Sequence, residues 1–375
     1  MIPPGRVLDL EIPDLIPAIA NVPDTPGVYV LHPAQGSPYI GWTSHLRKRL
    51  ARLLVHRTSS SNLLTNLRDS LAGVEYWSVG SRLEQSLLLY SLTRKYDPEN
   101  YRKRLKLRPP WFLVLLAGDA FPRLSVQNRL PKQLVPAYGP FSTRDSAEQF
   151  EQRVLPLFQI RRCTETLSPS LDHPGCIYGE MNLCMRPCQM AVSPDEYRVE
   201  VARVGEFLES NGRHHLSVLS SARDRASEHT DFEEAARLHK QLEAVKSVVA
   251  LRDDLVRDIV ELNGVALTRA SADRTLALWP MIAGSWQPPV FLDFSQHEAD
   301  SKSLDRQMRE RLLPHVANPI KAEIVLDHIA LLSRWYYSSW RDGRWFGFRT
   351  ADDLNYRKLV REISNLLKAT PELVG

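Results

Sequence analysis

All four cysteines of this 375-residue chain, Cys163, Cys176, Cys184 and Cys188, fall within residues 163–188, spaced C-x12-C-x7-C-x3-C. Thiolates gathered this closely suit a bound soft metal or an iron–sulfur cluster. Disulfides, inert buried thiols and redox chemistry are the competing readings. Met1 to Leu10 contains prolines and an aspartate and lacks the apolar core of a secretory leader. A cytoplasmic chain is therefore expected, and clustered thiols there point to a metal site before a disulfide framework. Structural zinc prefers paired short spacings, whereas gaps of this length suit loops wrapping a larger object. Iron–sulfur is thus expected ahead of zinc, which stays as the alternative.

A second constellation is cationic. The net charge is only +4, but Lys/Arg and Asp/Glu balance over residues 251–375, so the excess lies earlier. His45 to Arg57 holds Arg47, Lys48, Arg49, Arg52 and Arg57 without an acid, and Arg94 to Arg108 is similarly basic. Either run alone reads equally well as a solvated helix face. Two together indicate a phosphate-binding surface, with Arg47, Lys48, Arg52, Arg57, Lys103, Arg104, Lys106 and Arg108 as candidate DNA contacts. No apolar run reaches the ~18 residues a membrane span needs, so no membrane partner is expected.

The elements that must position these groups read as an α/β (α+β) protein of several domains. Leu15 to Ala20 is a short helix. Val28 to Leu31 and Tyr39 to Trp42 form a hairpin, and a helix follows from Ser44 with Leu46, Leu50, Leu53 and Leu54 at helical spacing. Val74 to Val79 is a third strand and Leu83 to Tyr96 a second helix. Trp111 to Leu116 and Leu124 to Val126 read as strands around a Gly118-Asp119 turn. A helix capped by Ser142 or Thr143 runs to Phe158. Ser193-Pro194-Asp195-Glu196 starts another, and helices follow through Glu209 and from Ser217 to about Leu251, broken at Asp231. Phe232, Ala235, Ala236, Leu238 and Leu242 make the apolar stripe of a helical hairpin. Ile259 to Leu267, Thr275 to Pro280 and Val290 to Phe294 read as strands, Leu304 to Leu313 and Tyr356 to Leu367 as helices, and Lys321 to Trp335 as a strand-to-helix join. Trp335, Tyr336, Tyr337, Trp340 and Trp345, interleaved with arginines, read as core aromatics before base-stacking groups.

The hairpin Gly27-Val28-Tyr29 and Tyr39-Ile40-Gly41, with the helix Ser44 to Leu50, resembles a GIY-YIG nuclease domain. Lys95-Tyr96-Asp97-Pro98, Phe121-Pro122-Arg123-Leu124, Tyr138-Gly139-Pro140-Phe141, the cysteine spacing and Asp231 to Leu238 extend the resemblance to the UvrC/Cho excision-repair family over about residues 20–250. That resemblance implies a GIY-YIG-like domain at 1–105, a linker with a four-cysteine cluster segment at 106–200 and a UVR-like helical hairpin at 201–255, leaving a C-terminal α/β region at 256–375. It also implies an iron–sulfur cluster (4Fe-4S) on Cys163, Cys176, Cys184 and Cys188, and a UvrB-like partner on Phe232, Ala235, Ala236 and Leu238. The family's RNase H-like and helix-hairpin-helix modules find no room in this sequence, so any incision is expected from the N-terminal domain.

Phosphodiester hydrolysis needs an activated water, a metal and cationic donors. By the resemblance, Tyr29, Tyr39 and Arg49 match catalytic positions. Trp42 stands where the family has a lysine, Leu53 where it has a tyrosine, Tyr101 where it has an asparagine, and Leu89 where it has the metal-binding glutamate. Glu84 is the substitute carboxylate, although it points roughly 140° around the helix from position 89. Glu75 qualifies only under a shifted alignment. The expectation is a nucleotide-excision-repair protein that binds double-stranded or damaged DNA with a degenerate, weak or inactive endonuclease site. The rivals are an active divergent single-site endonuclease, for which alone Mg or Mn would be needed, and an iron–sulfur nucleic-acid-binding regulator.

Overall fold

The computed structural model describes residues 5–8, 15–54, 71–116, 120–129, 137–251, 253–295, 322–350 and 353–368. Residues 1–108 with 263–375 form one compact unit and residues 109–262 another. Arg57, the Gly118-Asp119 turn and the expected Leu304 to Leu313 helix lie outside the described residues.

The first unit begins with β1 (Arg6–Leu8), α1 (Leu15–Ala20), β2 (Gly27–Pro33), β3 (Tyr39–Thr43), α2 (Leu46–Leu54), β4 (Leu71–Ser78), α3 (Arg82–Tyr96) and the short α4 (Tyr101–Arg104). The strands form an antiparallel sheet in the order β1-β4-β2-β3. Strand β2 is apolar at consecutive positions because it is covered on both faces. Tyr29 and Leu31 pack on one side with Leu46 and Leu50 of α2, while Val28 and Val30 pack on the other with Leu88 and Leu92 of α3, as the two-residue repeat of a strand requires. Leu53 is buried in the α2 core. The residue that the resemblance sets against a family tyrosine is therefore a packing residue of this fold. The Ser81 hydroxyl caps α3 by accepting from the Glu84 N–H at 3.1 Å, and the helix ends where the Asp97 N–H meets the Thr93 carbonyl ahead of Pro98.

The second unit holds β5 (Trp111–Leu116), β6 (Arg123–Gln127), β7 (Ala137–Phe141), α5 (Arg144–Val154), α6 (Ile177–Glu180), α7 (Pro194–Glu209), α8 (Arg213–Glu228), α9 (Phe232–Ala250) and β8 (Arg257–Asp258). Its sheet runs β6-β5-β7-β8. Phe150, Tyr197, Val204, Phe207, Val245 and Val248 fill the core behind it. Capping boxes start α5 at Thr143, with Ser146 as partner, and α7 at Ser193, with Glu196 as partner and Pro194 in the first turn. Helix α8 begins at Arg213, ahead of the Ser217 expected from sequence, because Gly212 at φ 74° turns the chain in the left-handed region that a side chain disfavours. Asp231 caps α9 by accepting from Glu234 N–H.

The chain then returns to the first unit with β9 (Asn263–Arg269), β10 (Thr275–Ile282), β11 (Ser285–Trp286), β12 (Val290–Asp293), α10 (Ala322–Tyr336), β13 (Gly343–Phe348) and α11 (Tyr356–Lys368). These make a five-stranded antiparallel sheet, β11-β10-β9-β13 with β12 also on β10. Strand β9 starts at Asn263, since Ile259 to Glu261 form a 3-10 turn. Residues 322–336 are helix, where the sequence suggested a strand-to-helix join.

Polar contacts far apart in sequence tie this half to residues 1–108. Buried Asp327 accepts from Tyr101 Oη at 2.6 Å, Arg102 Nε at 2.9 Å and Tyr90 Oη at 3.3 Å. The Asp342 carboxylate accepts from the Arg82 backbone N–H. A side chain at Gly80 would strike the Ala270 backbone at 2.0 Å, so the approach needs glycine. Tyr101, read from the resemblance as a replaced asparagine, is here a ligand of Asp327.

Candidate nucleic-acid interface and thiol centre

Tyr29, Tyr39 and Arg49 come together. Register places Tyr29 opposite Gly41 and Leu31 opposite Tyr39, so both tyrosines share the α2 face of the sheet. Their ring centroids are 6.3 Å apart, and Arg49, one turn into α2, donates from Nε to Tyr29 Oη at 3.0 Å. Gly41 has to be glycine, because a Cβ there would lie 2.6 Å from Tyr29 Cζ. Burial raises the Tyr29 phenol above its ordinary value, and the Arg49 contact opposes this without reversing it. At neutral pH Tyr29 is a protonated hydrogen-bonding group.

Trp42 and Leu89, which the resemblance sets against a family lysine and glutamate, also come together. Trp42 and Leu89 both line a cavity of about 530 Å³ with Ile40, Gln85, Ser86 and Thr93. Its charged lining is Arg82, Arg104, Lys106 and Arg334, and among the described residues none of the lining groups is Asp or Glu. The Arg82 guanidinium lies over the Trp42 ring at 5.4 Å. Such a cavity attracts anions and has no carboxylate to hold a divalent cation.

Neither substitute carboxylate reaches it. Glu84 accepts from Gly80 N–H at 2.7 Å at the start of α3. Burial, opposed by that hydrogen bond and helped by Asp342, raises its pKa to about 7. Glu84 is thus engaged at the helix terminus by Gly80 and the Ser81 cap, and its contacts do not include Tyr29, Tyr39 or Arg49. Glu75 lies opposite Val30, on the sheet face away from Tyr29, and pairs with His32 at 3.1 Å.

The candidate DNA contacts divide by what holds them. Arg52, Lys103, Lys106 and Arg108 are exposed. Arg47 donates from Nε to Val22 O at 2.7 Å, Lys48 lies 3.7 Å from Asp24, and Arg104 is 3.2 Å from Asp97. Arg334 and Trp340, which the sequence places in an aromatic run read as core before base stacking, stand on or just beyond α10 and line the cavity. Nothing in a linear pattern pairs residue 334 with residue 82. Trp335, by contrast, is fully buried.

In the second unit the four cysteines are free thiols, with Cys184 and Cys188 buried. Burial raises both thiols, and Cys163 and Cys176 push each further, so all four lie within electrostatic reach. Sulfur atoms receive N–H donors: Arg186 N to Cys184 Sγ at 3.4 Å and Arg161 Nη1 to Cys163 Sγ at 3.8 Å. Arg161 is itself 2% exposed, donating also to the Phe121 and Glu165 carbonyls. Asn182, Arg186 and Met190, none of them glycine, sit at φ of 55–57° around Cys184 and Cys188, a backbone cost that accumulates at functional sites. Among the described residues no three His, Cys, Asp or Glu side chains stand in a metal-holding arrangement. N–H donors are aimed at two of the four sulfurs, Cys163 and Cys184.

On the helical hairpin the expected partner stripe splits. Leu238 and Leu242 are buried in the unit, Ala235 is half-buried, Ala236 is exposed, and Phe232 is 71% exposed at the start of α9. Leu238 is therefore a packing residue and is removed from the set of free partner contacts.

Residues 110–207 match the family model for the UvrC/Cho excinuclease middle domain. UvrABC system protein C of Anaeromyxobacter sp. is 30% identical over 285 residues, 74% of this chain and 39% of that protein. Its counterpart in Oleidesulfovibrio alaskensis is 29% identical over 262 residues, 69% of this chain and 37% of that protein. The chain belongs to the UvrC/Cho-like family. It spans about two fifths of the length of these relatives. No solved structure matches it. Among the described residues no helix is long and apolar enough to cross a membrane.

Proposed function

We propose that this protein acts in UvrC-like nucleotide excision repair by holding DNA, damaged DNA included, on a GIY-YIG-like unit that has lost efficient nuclease activity. The observation carrying this reading is the cavity at Trp42 and Leu89. The positions that would supply a lysine and a metal-binding glutamate carry an indole and an alkyl side chain, and the lining charges are cations. Glu84, the nearest substitute in sequence, is engaged at Gly80. Losing a metal ligand and a cationic donor removes what stabilises the developing phosphorane charge, while the cations that bind phosphate persist.

Under this reading Cys163, Cys176, Cys184 and Cys188 hold an iron–sulfur cluster, with zinc as the alternative, and Arg161 and Arg186 N–H direct positive charge at the sulfurs. A brown protein absorbing near ~400 nm agrees with iron–sulfur; a colourless one with stoichiometric zinc rejects it. The exposed Phe232 end of the hairpin serves a UvrB-like partner, and the setting is cytoplasmic.

The test is a nicking assay on ultraviolet-damaged supercoiled plasmid with Mg or Mn, beside a mobility-shift assay on the same DNA. Salt-sensitive binding without nicking is expected. Robust nicking that disappears in Tyr39→Phe would establish the active single-site endonuclease instead, which the intact Tyr29–Arg49 contact would then serve.

A further inference from the structure

The cavity has features that DNA binding by basic surface patches does not use. It is concave, of a size common for small-ligand sites. Two of its lining residues are tryptophans that stay open to solvent, Trp42 at 48% and Trp340 at 40% exposure. The Arg82 guanidinium lies over the Trp42 ring at 5.4 Å, so the cleft already pairs a cation with an indole. Its cations come from three separate stretches: Arg82 from α3, Arg104 and Lys106 from the segment after it, and Arg334 from α10. Arg334 spends one donor on the Leu105 carbonyl at 3.0 Å, which anchors it at the rim while a guanidinium offers five donors in all. Arg104 is partly balanced by Asp97. Lys106 holds a left-handed backbone at φ 49°, a conformation that costs a non-glycine residue.

Cations within one cleft recognise a phosphate, and exposed indoles recognise the face of a planar base. A duplex offers phosphates but keeps base faces stacked, so the combination selects an unpaired nucleotide. We propose that the cleft of Trp42, Arg82, Arg104, Lys106, Arg334 and Trp340 takes up one nucleotide of a DNA single strand, its phosphate on the cations and its base on an indole. This rests on the DNA-holding function above. It also gives residues 331–340 a role, since Arg334 and Trp340 complete a pocket that residues 1–108 begin.

The experiment measures fluorescence anisotropy of the full-length protein with labelled single-stranded DNA, the matched duplex and RNA of the same sequence. Trp340→Ala is expected to weaken single-stranded DNA binding roughly tenfold, Trp340→Phe to restore most of it, and both to leave duplex affinity within about twofold. Arg334→Ala is expected to lower the slope of log affinity against log salt by about 0.7 for the single strand. Both side chains are exposed, and unchanged melting temperatures verify that the variants fold. Duplex binding with single-strand affinity indifferent to Trp340→Ala overturns the nucleotide pocket and leaves the DNA-holding function standing. Absence of binding to either form of DNA overturns both. Tighter binding of the RNA, equally sensitive to Trp340, overturns the assignment to DNA.

Discussion

At the scale of single residues, the contrast is between side chains that meet at the β2–β3 hairpin and a carboxylate that serves a helix end. Tyr29 and Arg49 still meet at 3.0 Å. Glu84 shows how a residue type can mislead: its carboxylate secures the Gly80 N–H at the head of α3 and carries a pKa raised to about 7 by burial. A carboxyl raised from 4.5 in the unfolded chain to about 7 in the fold contributes stability present below pH 4.5 and lost as pH rises through 7. Glu84→Gln keeps an acceptor for Gly80 and cannot ionise. The variant's stability gain over the parent, read from urea unfolding, is expected to be ~2 kcal/mol larger at pH 8 than at pH 5. A pH-independent difference would show that Glu84 is solvated.

At the scale of elements, burial separates packing from recognition on α9. The sequence stripe Phe232, Ala235, Ala236, Leu238 and Leu242 reads as one apolar face, yet only part of it meets the core. Leu238→Ala is expected to cost ~2–4 kcal/mol by opening a cavity. Phe232→Ala is expected to change stability by less than ~0.5 kcal/mol, since its ring is in water already. Thermal unfolding of the two variants decides this, and equal losses would mean that Phe232 packs in the protein. If the hairpin end serves a partner, Phe232→Ala weakens that complex while the fold is unaffected. Helix starts at Thr143, Ser193 and Asp231 were legible from their side chains, because a cap is a local contact. The start of α8 was not, because Gly212 signals a turn without saying how soon the helix follows.

For the first unit as a whole, α10 is the brace. Asp327 gathers Tyr90, Tyr101 and Arg102, and the neighbouring His328 is buried with Nδ1 accepting from the Trp286 N–H at 3.1 Å. Burial lowers its pKa to about 4, with Arg94 acting in the same direction and Asp327 against it. A neutral buried histidine contributes stability present above pH 6.5 and lost as pH falls towards 4. This runs opposite to Glu84 over the same window, so each effect is read by difference between the parent and its own variant. The stability deficit of His328→Gln is expected to shrink by ~2 kcal/mol between pH 7.5 and pH 5, measured by chemical unfolding. A deficit constant with pH would mean that His328 titrates normally.

What the sequence determined by itself were the features written in neighbouring residues: the β2–β3 hairpin, the leucine face of α2, the cysteine run, the helix caps and the resemblance that family comparison then bore out. Period, cap chemistry and motif spacing are local, and local order is enough to express them. Only the tertiary structure decided that Leu238 is core, that Glu84 serves a helix end, and that residues 263–375 pack with residues 1–108. The cavity belongs to this second kind. Trp42, Arg82 and Arg334 become neighbours because the sheet, α3 and α10 pack together, and contacts across hundreds of residues leave no periodic trace in the chain.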